Sequence, residues 1–402
     1  MSEPEVPVTV ASPSKPEGSV HVHVFGRTDV GRVREHNEDS FIVADLTRNS
    51  RSLREDERVQ VVGNRGTLMA VCDGMGGAAA GEVASDLAIN IIFEKLLEGE
   101  PPEDHNDLAR RMVRAIEAAG ISIYTKAKLD RRQRGMGTTA TVATLMDSQL
   151  FLGQVGDSRA YILRKHRLVQ VTRDQSLVNQ LIEAGQLTEQ EAEVFEHNNI
   201  ILQALGTAET VQVDLTYVPL CRGDVLLICS DGLSGLVRAD EIRQTLLDNP
   251  DIVEACKVLT NKANEAGGHD NVTVIVARFD GDCLREPSDE NPPCYAKYLL
   301  PGGMGSAPTV PGRRIPIKSS SDVQIPQEIG DRLSEHDSIH PKPGAAIPAE
   351  ASPYHNTDDS SECGTEQGEA DEDDDTPLWI LAVLVIAVFG CLVLVAAYFA
   401  FP

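Results

Sequence analysis

Five short apolar runs in this sequence begin or end at an acidic turn, and carboxylates delivered in that way to one edge of a core could hold a hard cation. The first run, Leu68-Met69-Ala70-Val71-Cys72, stops at Asp73-Gly74-Met75-Gly76-Gly77. Residues 40–46 follow Glu38-Asp39, and residues 151–155 lead into Gly156-Asp157-Ser158-Arg159. Residues 225–229 lead into Ser230-Asp231-Gly232, and residues 272–279 follow Gly267-Gly268-His269-Asp270-Asn271. One Asp at a strand end is ordinary turn chemistry. Five acidic turns gathered at one edge would repel one another unless cations neutralised them. Oxygen donors without a Cys or His cluster favour Mg2+ or Mn2+ over zinc. The glycines after Asp73 let backbone carbonyls approach such an ion closely.

Strands and helices must position these turns. Apolar runs bounded by turn residues predict strands over 22–28, 40–46, 138–146, 150–155, 159–164, 168–172, 211–219, 225–229 and 272–279. The four from 138 to 172 are spaced as in an antiparallel meander. Helical spacing of apolar residues predicts helices over 78–98, 108–128, 176–184, 188–195, 239–247 and 252–265. Thr188 and Glu191 have the spacing of a capping box. With no long polar interruption from 21 to 280, this stretch reads as one globular domain.

The chain has 402 residues and a formal net charge of -26. That balance argues against a nucleic-acid backbone as partner, because nothing here would release its counterions. Eight cysteines occur without a Cys-x-x-Cys pair, and Cys72 and Cys229 lie inside apolar runs, as buried reduced thiols do. Residues 1–20 are expected to be a disordered N-terminus. Residues 281–376 read as a flexible acidic, Pro/Ser-rich linker with too little apolar surface to offset the entropy of ordering. Residues 377–402 differ: from Leu378 to Phe401 no side chain is charged. At about 1.5 Å per residue that run spans the roughly 30 Å hydrocarbon core of a bilayer, which predicts one transmembrane helix. With no leading signal sequence, the expectation is a single-pass membrane protein whose catalytic domain is cytoplasmic.

The ordered series Arg34-x-x-Asn37-Glu38-Asp39, Asp73-Gly74-Met75-Gly76-Gly77, Gly137-Thr138-Thr139, Gly156-Asp157-Ser158-Arg159, Ser230-Asp231-Gly232 and Asp270-Asn271 resembles the metal-dependent protein phosphatases, the PPM or PP2C family, in their bacterial form. The resemblance covers residues 21–280 and does not reach the linker or the terminal segment. It implies an α+β fold, an αββα four-layer sandwich of two antiparallel sheets flanked by helices, with two Mn2+ or Mg2+ ions and a weaker third in a cleft at one end. Carried over by position, Asp73 would bridge both ions and the Gly74 carbonyl would bind one of them. Asp231 and Asp270 would hold the first ion and Glu38 the second. Asp39 and Asn271 would complete the metal site from behind, and Asp157 with Asp231 would mark the third ion.

The resemblance also implies an activity, hydrolysis of phosphoserine and phosphothreonine in proteins. Paired cations attract the phosphate dianion and lower the pKa of a bridging water, so no Ser or Cys nucleophile is needed. Arg34 would grip two phosphate oxygens through its planar fork. Animal members carry a histidine just after the Asp-Gly pair; this chain has Met75, which leaves His36 as the nearby candidate for a general acid. Residues 176–206 resemble the family's flap over the cleft, with Asn199 a candidate for the third ion. Substrates would include a cognate Ser/Thr kinase, and the catalytic domain is expected to be monomeric. Two other readings stay open: a catalytically silent membrane scaffold that binds phosphoproteins, and a phosphatase devoted to one regulatory partner.

Overall fold

The computed structural model describes residues 19–51, 58–76, 80–193, 195, 197 and 199–301. Its strands are β1 Val20–Asp29, β2 Asp39–Asp45, β3 Val59–Val61, β4 Thr67–Met75, β5 Gly137–Thr138, β6 Ala140–Met146, β7 Gln149–Val155, β8 Arg159–Arg164, β9 Arg167–Gln170, β10 Asp214–Pro219, β11 Val225–Cys229, β12 Val272–Gly281 and β13 Ala296–Lys297. The helices are α1 Ala80–Leu97, α2 His105–Leu129, α3 Leu177–Glu183, α4 Glu189–Glu193, α5 Asp231–Ser234, α6 Ala239–Asp248 and α7 Ile252–Glu265.

The strands form two antiparallel sheets, one in the order β3-β1-β12-β11-β8-β9, the other β13-β10-β7-β6-β4-β2 with β5 paired to the end of β4. Period-two alternation explains how they layer. On β4, Leu68, Ala70 and Cys72 enter a core shared with α1 and α2, while Met69 and Val71 enter the core between the sheets. On β11, Leu226 and Ile228 face the inter-sheet core, and Val225, Leu227 and Cys229 face a third core under α5, α6 and α7. Three cores separate four layers, the αββα sandwich expected above. Strands covered on both faces read as unbroken apolar runs.

Register brings the acidic turns to one end. Asp39 lies opposite Asp73, Ala140 opposite Val155, Cys229 opposite both Arg159 and Val274, and Asp29 opposite Val272. Every turn that carries a candidate carboxylate therefore leaves the sheets at the same edge.

Two expectations need correction. Residues 138–172 form two hairpins in different sheets, β6–β7 in one and β8–β9 in the other, with the chain crossing between them at Gly156-Asp157-Ser158. Alternation cannot assign a strand to one sheet or the other when both of its faces are buried. The start of the expected linker is also part of the domain. Arg164 donates to the carbonyls of Asn291 and Pro292 at 3.2 and 3.4 Å, and β13 then joins β10. Tyr298 follows, stacked edge-on to Phe151 and Tyr217 with its hydroxyl 2.8 Å from Asn106. The capping box is present: Glu191 accepts the Thr188 N–H, and the Thr188 hydroxyl accepts the Glu191 N–H. Among the described residues no helix is long and apolar enough to cross a membrane. The predicted helix over 377–402, residues 1–18 and linker residues 302–376 lie outside the described residues.

Candidate metal centre

At the carboxylate edge, β4 carries Asp73 out of the inter-sheet core. Thr139 holds it in place: its hydroxyl accepts the Asp73 N–H at 2.9 Å, and its own N–H reaches the Asp73 carbonyl at 2.8 Å. Asp231 opens α5, and its carboxyl comes within hydrogen-bond reach of Asp73. Two carboxylates are both acceptors, so a shared proton or a cation would relieve their approach. One Asp231 oxygen and one Asp157 oxygen are sealed from solvent without any hydrogen-bond partner. Buried acceptors are rarely left so, and an ion is one thing that satisfies them.

The electrostatics agree. Burial pushes the Asp73 carboxyl well above its ordinary value, and Asp39, Asp231, Asp157 and Asp270 add to the push. Asp157 is raised to about 7 by burial, Asp231 and Asp174. Asp231 is raised by burial and by Asp270. Each shift says that the site accepts positive charge more readily than it tolerates bare carboxylates. Among the described residues no three His, Cys, Asp or Glu side chains close into a cage.

Around this pair the other predicted residues converge. The Glu38 carboxylate accepts the Gly81 N–H, and burial raises its pKa. A β-carbon at Gly81 would stand 2.7 Å from the Glu38 carboxylate, and one at Gly74 would strike the Gly81 and Glu38 carbonyl oxygens. Glycine is therefore required at both positions for α1 to approach β4 this closely. Asp39, 7% exposed, accepts the Ser230 hydroxyl at 2.7 Å, which ties the strand of Asp73 to the turn of Asp231. Burial lifts Asp39 to about 7. Asn271 laces the neighbouring loop: its Nδ2 donates to the Val30 and His36 carbonyls, each at 2.9 Å, and its Oδ1 accepts the Glu38 N–H at 2.8 Å. Arg34 Nη2 lies 2.8 Å from Asp270, with the guanidinium half exposed at the mouth. Its fork is thus placed at the cleft on a carboxylate.

The His36 ring is exposed, and the residue contributes its backbone carbonyl. Asn199 is also exposed. Cys72, next to Asp73, is no nucleophile: burial, with Asp39 and Asp73 beside it, pushes its thiol far up. The Ser85 hydroxyl donates to the Glu38 carbonyl at 2.6 Å, and Thr273 hydrogen-bonds Asp39; neither had a signal in the sequence, whereas Thr139 and Ser230 lie in the motifs Gly137-Thr138-Thr139 and Ser230-Asp231-Gly232.

The sequence model of the protein phosphatase 2C family matches residues 47–273. A serine/threonine phosphatase of Listeria monocytogenes is 34% identical over 259 residues, which is 64% of this chain and 96% of that protein. The crystal structure of the Mycobacterium tuberculosis serine/threonine phosphatase PstP superposes with a TM-score of 0.56 at 35% identity, covering 65% of this chain and 99% of that one. A structure of the PstP catalytic domain in complex with two manganese ions gives a TM-score of 0.55 at 34% identity, with 65% and 99% covered. The chain belongs to the protein phosphatase 2C family.

Proposed function

We propose that the acidic cleft hydrolyses phosphoserine and phosphothreonine in proteins, with divalent manganese or magnesium held by its carboxylates. The enzyme is a protein-serine/threonine phosphatase. The observation that carries the reading is the approach of Asp73 to Asp231 beside two buried oxygens without partners. Asp73 with Asp231 and Asp270 would hold one ion, and Asp73 with Glu38 the other; the Gly74 carbonyl would serve one of the two, and Asp157 a weaker third. When bound, such a pair attracts the phosphate dianion and makes water nucleophilic at neutral pH. Asp39 holds Ser230 and so the turn of Asp231, and Asn271 fixes the loop that carries Arg34 and Glu38. Arg34 exchanges one Asp270 oxygen for phosphate oxygens, a match for its planar donors.

The chain keeps every carboxylate the family resemblance calls for, which favours hydrolysis over a silent scaffold. The test is Mn2+-dependent release of phosphate from a phosphothreonine peptide by the full chain. Loss of release in Asp231→Asn supports the reading, and undiminished release overturns it. Residues 377–402 act as a membrane anchor in this proposal, supported by their uncharged run. Free thiols at Cys72, Cys221, Cys229 and Cys256 fit a reducing, cytoplasmic side. Tethering would favour membrane-bound phosphoproteins, a Ser/Thr kinase among them, by raising effective concentration. Deleting 377–402 should release an active enzyme from membranes; continued pelleting would refute the anchor.

A further inference from the structure

The end of α2 runs straight into a cationic turn. Lys126, Lys128, Arg131, Arg132 and Arg134 fall within nine consecutive positions and are all exposed, in a chain whose formal net charge is -26. The two lysines have an ordinary explanation, since they lie in the last turn of α2, where cations favour the helix dipole. Lys128 also sits over the Tyr124 ring and feels Glu209. The three arginines lie beyond α2, Arg131 and Arg132 within a single 3-10 turn and Arg134 just after it. Among the described residues no acidic side chain pairs with them, whereas Lys95, Arg111, Arg173 and Arg222 each hold an acidic partner. Asp130, the nearest carboxylate in sequence, is engaged in the turn itself: its side chain accepts the Arg132 N–H at 2.9 Å.

Backbone hydrogen bonds hold this turn, which leads into the strand end beside the cleft. The Gln133 and Met136 N–H groups donate to the carbonyls of Asp130 and Gln133 at 3.0 and 3.1 Å. Arg134 is three residues before Gly137, so their Cα atoms are within about 11 Å. Gly137 and Thr138 pair with Met75 and Gly74 on one side, and Thr138 exchanges backbone hydrogen bonds with Leu205, at the end of the flap segment, on the other. The carboxylates of the cleft repel an acidic polypeptide, and the arginines beside it attract one. Leu129, 83% exposed, adds an apolar contact next to them.

We infer that Arg131, Arg132 and Arg134 bind acidic residues flanking the phosphorylated side chain, so that this enzyme selects phosphosites in acidic polypeptide. The inference rests on the phosphatase reading above and adds a substrate preference to it. Its test compares phosphothreonine peptides that carry four Glu or four Gln on the amino or carboxyl side, with the full chain in neutral detergent and Mn2+. p-Nitrophenyl phosphate, which has no flank, reports on the cleft alone.

Three exposed ion pairs amount to about a tenfold preference in kcat/KM for a Glu peptide, expressed in KM. The preference should fall below about twofold in the Arg131→Gln/Arg132→Gln/Arg134→Gln variant and in 0.5 M salt, where the Debye length is only a few ångström. Hydrolysis of p-nitrophenyl phosphate should be unchanged in that variant. Equal kcat/KM for Glu and Gln peptides, or a preference that survives in the triple variant, overturns the inference. A preference that emerges only when the chain is cut after residue 357 also overturns it, because the turn then belongs to the chain's own acidic segment around Asp371-Glu372-Asp373. Failure to hydrolyse any of these compounds would instead remove the phosphatase reading itself.

Discussion

Asp224 and Asp231 stand at opposite ends of β11, and their surroundings are opposite too. Asp224 is fully buried and fully partnered: Arg164 Nε and Nη2 reach its two oxygens at 2.8 Å each, and the Cys221 N–H adds a third bond at 2.8 Å. The other Arg164 donors take the carbonyls of Pro219, Asn291 and Pro292. Asp231 faces Asp73 and Asp270, and one of its oxygens has no partner at all. One end of the strand satisfies its charge and fastens the C-terminal strap. The other end leaves its charge unsatisfied and open to a ligand. Local rules that hold elsewhere in a fold fail where function resides.

Exchanging the charge at each end should separate the two roles. Asp231→Asn should lower kcat/KM for a phosphopeptide by more than about 10^3-fold, some 4 kcal/mol in the barrier. The same change should raise the melting temperature of the metal-free protein, since it removes one of several repelling carboxylates. Arg164→Met should do the reverse. It leaves Asp224 buried and unpaired, at a cost of about 3–5 kcal/mol in unfolding free energy. At a temperature where the variant is still folded, kcat should be unchanged.

Acidity sharpens the contrast. Asp39 and Asp157 titrate at about 7 in the folded protein against an ordinary 3.8. A raised carboxyl pKa means that the folded state binds the proton more tightly. The resulting penalty on folding is absent below 3.8, grows between the two values and is complete above 7. Metal-free protein should therefore lose stability from pH 5.5 to 7.5, by up to about 1.4 kcal/mol per pH unit for each group. Added Mn2+ should restore more at pH 7.5 than at 5.5 in thermal melts; a flat or rising metal-free profile would contradict this. The smallest effect is expected at His36, whose backbone carbonyl is the part in use. His36→Gln should change kcat less than about twofold, and a larger loss would support it as a general acid.

Much of the cleft was legible because catalysis here needs carboxylates, and carboxylates that end apolar runs stand out. Glu38, Asp73, Asp157, Asp231 and Asp270 all reach the same edge, as their turns predicted. The groups that hold them were not legible. Ser230, Thr273 and Thr139 are ordinary residues in or beside strands until the fold brings their hydroxyls to Asp39 and Asp73. The strap was missed for a related reason. Residues 281–301 are polar and rich in proline, and what fastens them is Arg164, more than 120 positions earlier. Sheet membership of β6, β7 and β8 was hidden by burial on both faces.

The most direct test of the account is an anomalous-scattering map at the manganese edge from crystals of the enzyme grown with Mn2+. The account predicts two strong peaks at the β11 end that carries Asp231, both within coordination distance of Asp73, one also touching Asp231 and Asp270 and the other Glu38. Peaks elsewhere, or none between Asp73 and Asp231, would contradict it.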